Sequence, residues 1–231
     1  MTALEQHDLS NIEILSSLSA EQRRDFEKSC RWRHFAAEEQ IIDRYDPSRD
    51  IHFVTRGSVR IVNYSISGRE VTLEDLEEGS YFGELAAIDG EPRSASVIAL
   101  EECEIAKMAP ERFLTVLMAY PDVALKVMLN LTRMVRASTQ RIMDLSTLGA
   151  NNRVHGELLR LANAHRTGPN EAVVTPIPVH SDMASRASTT RETVARVMSD
   201  LTRINLIRRE AEALVILDVK KLHEMVEQVR G

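Results

Sequence analysis

Leu125, Met128, Thr132, Val135, Thr139, Ile142, Ser146 and Gly149 recur at a strict alternation of three and four residues, and no other feature restricts the fold of this chain as severely. That spacing is the seam of a two-stranded coiled coil, so it predicts one long helix, with Pro121 in its first turn, paired with a second copy of itself. Hydroxyls at Thr132 and Thr139 weaken the seam and can serve simply to fix its register. A second use exists for Thr139 and its neighbour Ser138. Adjacent helix positions lie about 100° apart, so Thr139 can face the partner chain while Ser138 faces its own, and a ligand held against the helix would touch both.

The helix separates two stretches of different character. Before it, Met1–Leu18 predicts a short helix with Ile12, Ile14, Leu15 and Leu18 on its apolar face, and Ala20–Cys30 predicts another. From Trp32 to Met108 short β-rich runs recur at 51–55, 58–64, 70–76, 95–100 and 103–108. Turns at Asp46-Pro47-Ser48, Arg56-Gly57-Ser58, Ser67-Gly68 and Glu77–Ser80 separate them, a spacing that predicts a barrel or jelly roll. Glu111–Ala119 then predicts a short helix.

Within the β-rich region, Phe82–Ser96 reads Phe-Gly-Glu-Leu-Ala-Ala-Ile-Asp-Gly-Glu-Pro-Arg-Ser-Ala-Ser. A backbone turning at Gly83 into a short helix through Leu85 and Ala86 presents unpaired N–H groups, which suit a phosphate. Arg93 offers a planar fork to phosphate oxygens, Ser94 a hydroxyl, and Glu84 an acceptor for a sugar hydroxyl. The same residues also fit an ordinary surface turn with both charges solvated.

After the long helix, Leu145–Asn152 reads as a hinge and Arg153–Ala164 as a core-facing helix. Ala172–Val179, with two prolines, reads as an edge strand. Two helices at a tight turn follow, Ser181–Ala187 and Thr190–Arg203, with Thr189 and Glu192 at capping-box spacing. Arg191, Glu192, Ala195, Arg196 and Ser199 share the face opposite Val194, Val197, Met198 and Leu201. Arginine matches the guanine edge and glutamate the cytosine amino group, so this face can read DNA or be merely a solvated, ion-paired surface. Residues 206–210 and 213–217 read as a two-stranded wing, and Asp218 as the cap of a last helix. Charge follows the same division. Residues 1–150 hold 17 Lys+Arg against 25 Asp+Glu, whereas 151–231 hold 12 against 10, with six arginines and two acids between Arg186 and Arg209. A local basic surface of this kind suits phosphate contacts.

The order Phe-Gly-Glu-Leu-Ala with Pro-Arg-Ser-Ala resembles the phosphate-binding cassette of cyclic-nucleotide-binding domains, and Gly57-Ser58-Val59 resembles a hairpin of the same domains. Thr190-Arg191-Glu192-Thr193-Val194-Ala195-Arg196 is similar to the recognition helix of the cyclic-AMP receptor protein and fumarate-nitrate regulator superfamily, CRP/FNR, which the chain resembles over nearly its whole length. The resemblance implies an α+β chain: a cyclic-nucleotide-binding β-roll of jelly-roll type over 1–120, a dimerisation coiled-coil helix over 121–148, and a winged helix-turn-helix DNA-binding domain over 149–231. It implies that Arg93 and Ser94 hold the cyclic phosphate and Glu84 the ribose, with Gly83, Leu85 and Ala86 completing the cassette and Ser138 and Thr139 meeting the base across the dimer. It further implies that Arg191, Glu192 and Arg196 read bases, with Thr190, Ser199 and His180 in the DNA interface. The expected effector is cyclic AMP, with cyclic GMP as the alternative. The expected partners are double-stranded DNA carrying half-sites related to TGTGA, a second copy of the chain, and RNA polymerase. One departure stands out: the family carries two adjacent arginines on the long helix, the second bracing the ribose-binding glutamate, and here the pair is Arg133-Met134.

Other function classes have less support. Cys30 and Cys103 lie far apart without metal-ligand spacing, and His7, His34, His52, His155, His165, His180 and His223 show no paired spacing, so no metal is expected. A haem or redox sensor of the same fold would need such residues, and a constitutive regulator would leave Arg93, Glu84 and Ser94 without a task. An enzyme using Glu84 or Asp89 as a general base would need an accompanying nucleophile, metal set or triphosphate loop. No apolar run approaches a membrane span, and Met1–Ile14 is polar and acidic where a secretory signal is basic then apolar, so a cytoplasmic location without a membrane partner is expected.

Overall fold

The computed structural model describes residues 8–66 and 68–230 and divides the chain into two units, 1–134 and 135–231. In the first, helix α1 (Ala20–Glu27) opens with a reciprocal capping box between Ser19 and Gln22. Six strands follow, β1 (Arg31–Phe35), β2 (Gln40–Ile42), β3 (Ile51–Arg56), β4 (Ser58–Tyr64), β5 (Glu70–Glu77) and β6 (Tyr81–Phe82). The short helix α2 (Glu84–Asp89) interrupts them before β7 (Ser96–Ala99) and β8 (Cys103–Met108). These strands form two antiparallel four-stranded sheets, ordered β1-β8-β3-β6 and β2-β7-β4-β5. Phe35, Val54, Val59, Phe82, Val97 and Ile105 from both sheets fill the space between them. This is the expected roll.

The outer face of the first sheet is covered too. Ile51 and Phe53 of β3 pack with Leu9, Ile12, Leu15, Phe26, Phe113 and Val123. Being buried on both faces is why β3 reads as a continuous apolar run. The N-terminal expectation fails for the same reason. Residues 1–7 lie outside the described part, and Glu13–Leu15 is only a single 3₁₀ turn. Leu9, Ile12, Ile14, Leu15 and Leu18 are all buried as the segment wraps the sheet, so no single helical face is required. Sequence reading also missed β1, an edge strand mostly exposed, and β2 and β6, which are too short for a periodic signal.

Helix α3 (Pro110–Ala119) starts on its proline, and α4 (Pro121–Thr147) runs for 27 residues, about 40 Å at 1.5 Å per residue. Val123 and Val127 anchor its start in the core of the first unit. The seam residues Leu125, Met128, Val135 and Ile142 are instead 51 to 65% exposed, an apolar stripe without cover within the chain. The last seam position fails. Gly149 lies beyond the helix and caps α5 (Ala150–Ala164), so the expected hinge over Leu145–Asn152 contracts to Leu148-Gly149.

The second unit also contains β9 (Ala172–Val174), α6 (His180–Arg186), α7 (Arg191–Arg203), β10 (Ile207–Arg209), β11 (Leu214–Ile216) and α8 (Val219–Arg230). Its sheet, ordered β10-β11-β9, leaves β9 on an edge as the prolines after it suggested. Val154, Leu158, Met183, Val194, Val197, Leu201, Ile216 and Leu222 form one core. Asp218 caps α8 by accepting from Lys221 N at 2.8 Å. Among the described residues no single helix is long and apolar enough to cross a membrane.

Candidate effector pocket and nucleic-acid interface

The turn from β6 into α2 is where charge goes inside. Gly83 caps α2 in the left-handed region at φ 83°, a conformation that a side chain disfavours. Space is short as well: a Cβ there would lie 2.6 Å from Arg93 Nη1 and 3.0 Å from the Asp50 carbonyl. The next residue, Glu84, and Arg93 across the loop are each only 5% exposed. Buried charges need partners. Arg93 Nη1 donates to the Gly83 carbonyl (3.2 Å), and Nη2 donates to Ser48 Oγ (3.1 Å) and to the Asp50 carbonyl (2.9 Å). Its Nε is buried with no hydrogen-bond partner among the described residues.

Burial sets the electrostatics. It pushes the Glu84 carboxyl above the usual carboxylate range, with Glu74 adding to the rise and Arg93 opposing it. Beneath the turn, His52 of β3 stacks on Phe82 with ring centroids 5.0 Å apart. Burial, then Arg93 and Lys107, drive the His52 pKa down to about 3, so the ring is neutral at pH 7. Lys107 pairs with Asp50 at 2.9 Å. The sequence reading gave no role at the site to His52, Ser48 or Asp50: Ser48 appeared only as a turn residue and His52 only as one of the scattered histidines. A histidine inside the apolar run Ile51–Val54 was the available signal.

Of the expected cassette residues, Gly83, Glu84, Ala86 and Arg93 come together, Ala86 buried and Leu85 half-buried. Ser94 is exposed, and its carbonyl accepts from Asn63 Nδ2 at 3.1 Å. Arg133 acts on Tyr81, whose hydroxyl burial pushes up to about 12 and which Arg133 pulls back. Ser138 and Thr139 are exposed on α4 in the second unit. Thr139 Oγ1 donates to the Val135 carbonyl at 2.9 Å, and Thr132 makes the same back-bond to Met128 at 2.8 Å.

In the second unit α6 and α7 bury Met183, Ala184, Ala187, Val194, Val197 and Leu201 together. Arg191, Glu192, Ala195, Arg196 and Ser199 remain exposed on the other side of α7. The cap differs from the expectation. Thr190, not Thr189, is the N-cap and accepts from Thr193 N at 3.3 Å, whereas Thr189 is buried. His180 is the first residue of α6 and half-buried, and Arg196 reaches Asn151 Oδ1 at 3.4 Å. Hydrogen bonds from the α7 N-terminus and Thr190, then Arg191 nearby, hold the exposed Glu192 carboxyl below its usual range, so it is an anion at neutral pH.

Comparison with known proteins matches this division. Residues 32–120 match the family model of the cyclic nucleotide-binding domain, and residues 152–225 match the Crp-like helix-turn-helix domain. The cyclic AMP receptor protein of Thermus thermophilus is 29% identical over 219 residues, 95% of this chain and 94% of that protein. A CooA mutant structure from Carboxydothermus hydrogenoformans superposes with a TM-score of 0.80 at 21% identity, covering 97% and 98% of the two chains. The c-di-GMP responsive regulator CLP of Xanthomonas campestris gives 0.73 at 19%, covering 86% and 99%. With a cyclic nucleotide-binding roll at one end and a Crp-like helix-turn-helix at the other, the chain belongs to the CRP/FNR family of transcription regulators.

Proposed function

We propose that this protein is a homodimer that binds cyclic AMP in the roll over 1–120 and, in response, a palindromic DNA site through the domain over 149–231. One observation carries the reading: Glu84 and Arg93, opposite charges at 5% exposure, flank a left-handed glycine whose missing side chain leaves room at the guanidinium. Charges so placed are costly to the fold, and a phosphate and a sugar hydroxyl are the partners they suit. Ser94 adds a hydroxyl, with Leu85 and Ala86 lining the approach.

Thr139 supports contact with the amino group of the base: its hydroxyl proton is committed to the Val135 carbonyl, which leaves the oxygen free to accept from the exocyclic amino group of adenine. The uncovered stripe of Leu125, Met128, Val135 and Ile142 supports pairing of α4 with a second copy over 121–148. Such a dimer sets two α7 helices about 34 Å apart, one turn of DNA, where Arg191, Glu192 and Arg196 read base edges and Thr190, Ser199 and His180 contact the backbone. The protein then acts in the cytoplasm, with RNA polymerase as its partner at the promoter.

Calorimetry with cyclic AMP on the wild type and Arg93→Ala tests the reading. Loss of binding is expected in the variant, and equal heats from both would refute it. A second reading, a regulator with a different effector, is favoured by the Arg93 Nη atoms being already engaged by Gly83, Ser48 and Asp50. Heat with cyclic di-GMP and none with cyclic AMP would establish it.

A further inference from the structure

The turn between α6 and α7 contains no glycine, yet Ser188 sits there at φ 49°. A non-glycine residue held in that region persists only where its surroundings over-determine it. Two arginines do so here. Arg153, in the first turn of α5, donates from Nε to the Ala187 carbonyl (2.9 Å) and from Nη2 to the Ser188 carbonyl (3.1 Å), while its Nη1 holds the Leu148 carbonyl just past the end of α4 (2.8 Å). Arg141, on α4 itself, reaches the Arg186 carbonyl at 3.3 Å and Ser188 Oγ at 3.5 Å. Both guanidiniums thus face the C-terminal end of α6, where helix carbonyls lack partners and positive charge is favoured. Arg186 leans on Glu157 of α5 at 3.9 Å, which closes the cluster.

We infer that Arg141, Arg153 and Ser188 form a joint that positions the recognition helix, carrying the orientation of α4 into the helix-turn-helix. The covalent route from α4 is the two-residue link Leu148-Gly149, which by itself leaves the direction of α7 undetermined. Arg153 removes that freedom by holding the end of α4 and the α6–α7 turn with one rigid, planar group. Arg141 adds a contact made from α4 directly. Residues of this joint touch neither effector nor bases, so they act through α7. The inference rests on the proposed effector response for its use, but its geometry belongs to the second unit alone.

The test uses the full-length protein with Arg141→Ala, Arg141→Lys, Arg153→Ala, Ser188→Gly and the double variant Arg153→Ala/Ser188→Gly. Operator affinity is measured with and without saturating cyclic AMP, alongside amide exchange over residues 185–190. Arg153→Ala should lower operator affinity roughly tenfold to a hundredfold, because three carbonyls lose a charged donor. Arg141→Ala should shrink the ratio of affinities with and without effector, with Arg141→Lys recovering part of it. Glycine at 188 tolerates the left-handed backbone without help. In the double variant it should restore slow exchange at the turn but not the effector ratio. If it restores the ratio as well, the arginines only prop a strained turn and the joint is refuted. If the wild type shows no response to cyclic AMP, the effector reading fails by itself. The joint is then judged by operator affinity: Arg153→Ala/Ser188→Gly with slow exchange at 185–190 but weakened DNA binding supports it, and affinity restored together with slow exchange overturns it.

Discussion

The protein carries two arginine-bearing surfaces built on opposite principles. Arg93 is 5% exposed and its Nη donors end on the chain's own oxygens, whereas Arg191 and Arg196 stand in solvent on α7. In the roll, desolvation dominates. It raises Glu84 and depresses His52, and the fold bears the cost of keeping the charges inside. On α7, solvent screens the charges, and the helix N-terminus and Thr190 hold the Glu192 carboxyl below its usual range. A small ligand is recognised by enclosing it in a low dielectric, where few contacts discriminate strongly. A duplex is too large to enclose and is read by a protruding face. Substitutions in the roll should therefore change stability and binding together, whereas those on α7 should change binding alone.

Acid should expose this contrast most strongly. His52 is neutral when folded, with a pKa near 3 against 6.5 for the free side chain, so its contribution is complete above pH 6.5 and falls as the unfolded chain takes up the proton. The loss amounts to about 1.4 kcal/mol per pH unit between 6.5 and 3. His52→Phe keeps the stacking on Phe82 and should flatten stability over that range in a pH series of chemical denaturation. A slope equal to the wild type's would place the acid sensitivity elsewhere. Next in size, Arg191→Ala and Arg196→Ala should each cost about 1–3 kcal/mol in operator binding and relax discrimination at one base pair, without shifting the melting temperature. A fall in melting temperature would mean that α7 is not the free face described. The smallest effect is opposite in sign. Glu84 is raised by burial, so its ionised form disfavours the fold at pH values above the raised pKa and its protonated form favours it below. Glu84→Gln should raise the melting temperature slightly at neutral pH and weaken cyclic AMP in the same calorimeter. A destabilised variant would show that the carboxylate is a structural anchor.

Much of this was legible in advance because it is local. Strands β3, β4, β5, β7 and β8 announce themselves by β-rich runs between turn residues; β4 and β8 coincide with the runs read, and β3, β5 and β7 differ from them only at their ends. The packed and free sides of α7 follow from its period. The failures share a cause as well. The N-terminal segment has helical spacing but wraps a sheet, so tertiary burial replaced amphipathic order. Thr189 and Thr190 are chemically equivalent caps, and only the packing of Thr189 into the core decided between them. The cassette's residue types were visible, but the Ser48, Asp50 and His52 floor beneath it comes from β3 and the loop leading into it, with Ser48 and Asp50 lying 45 and 43 residues before Arg93, beyond any motif.

By itself the sequence determined the apolar period of α4, the glycine that must turn at 83, and the arginines on α7, because each depends on periodicity or on a side chain's own chemistry. Only the tertiary structure decided that Arg93 lies buried while Ser94 does not, that α4 is left with an uncovered stripe, and that two arginines distant in sequence hold the turn at Ser188. Burial and long-range hydrogen bonds are properties of what the chain brings together, and no local pattern encodes them.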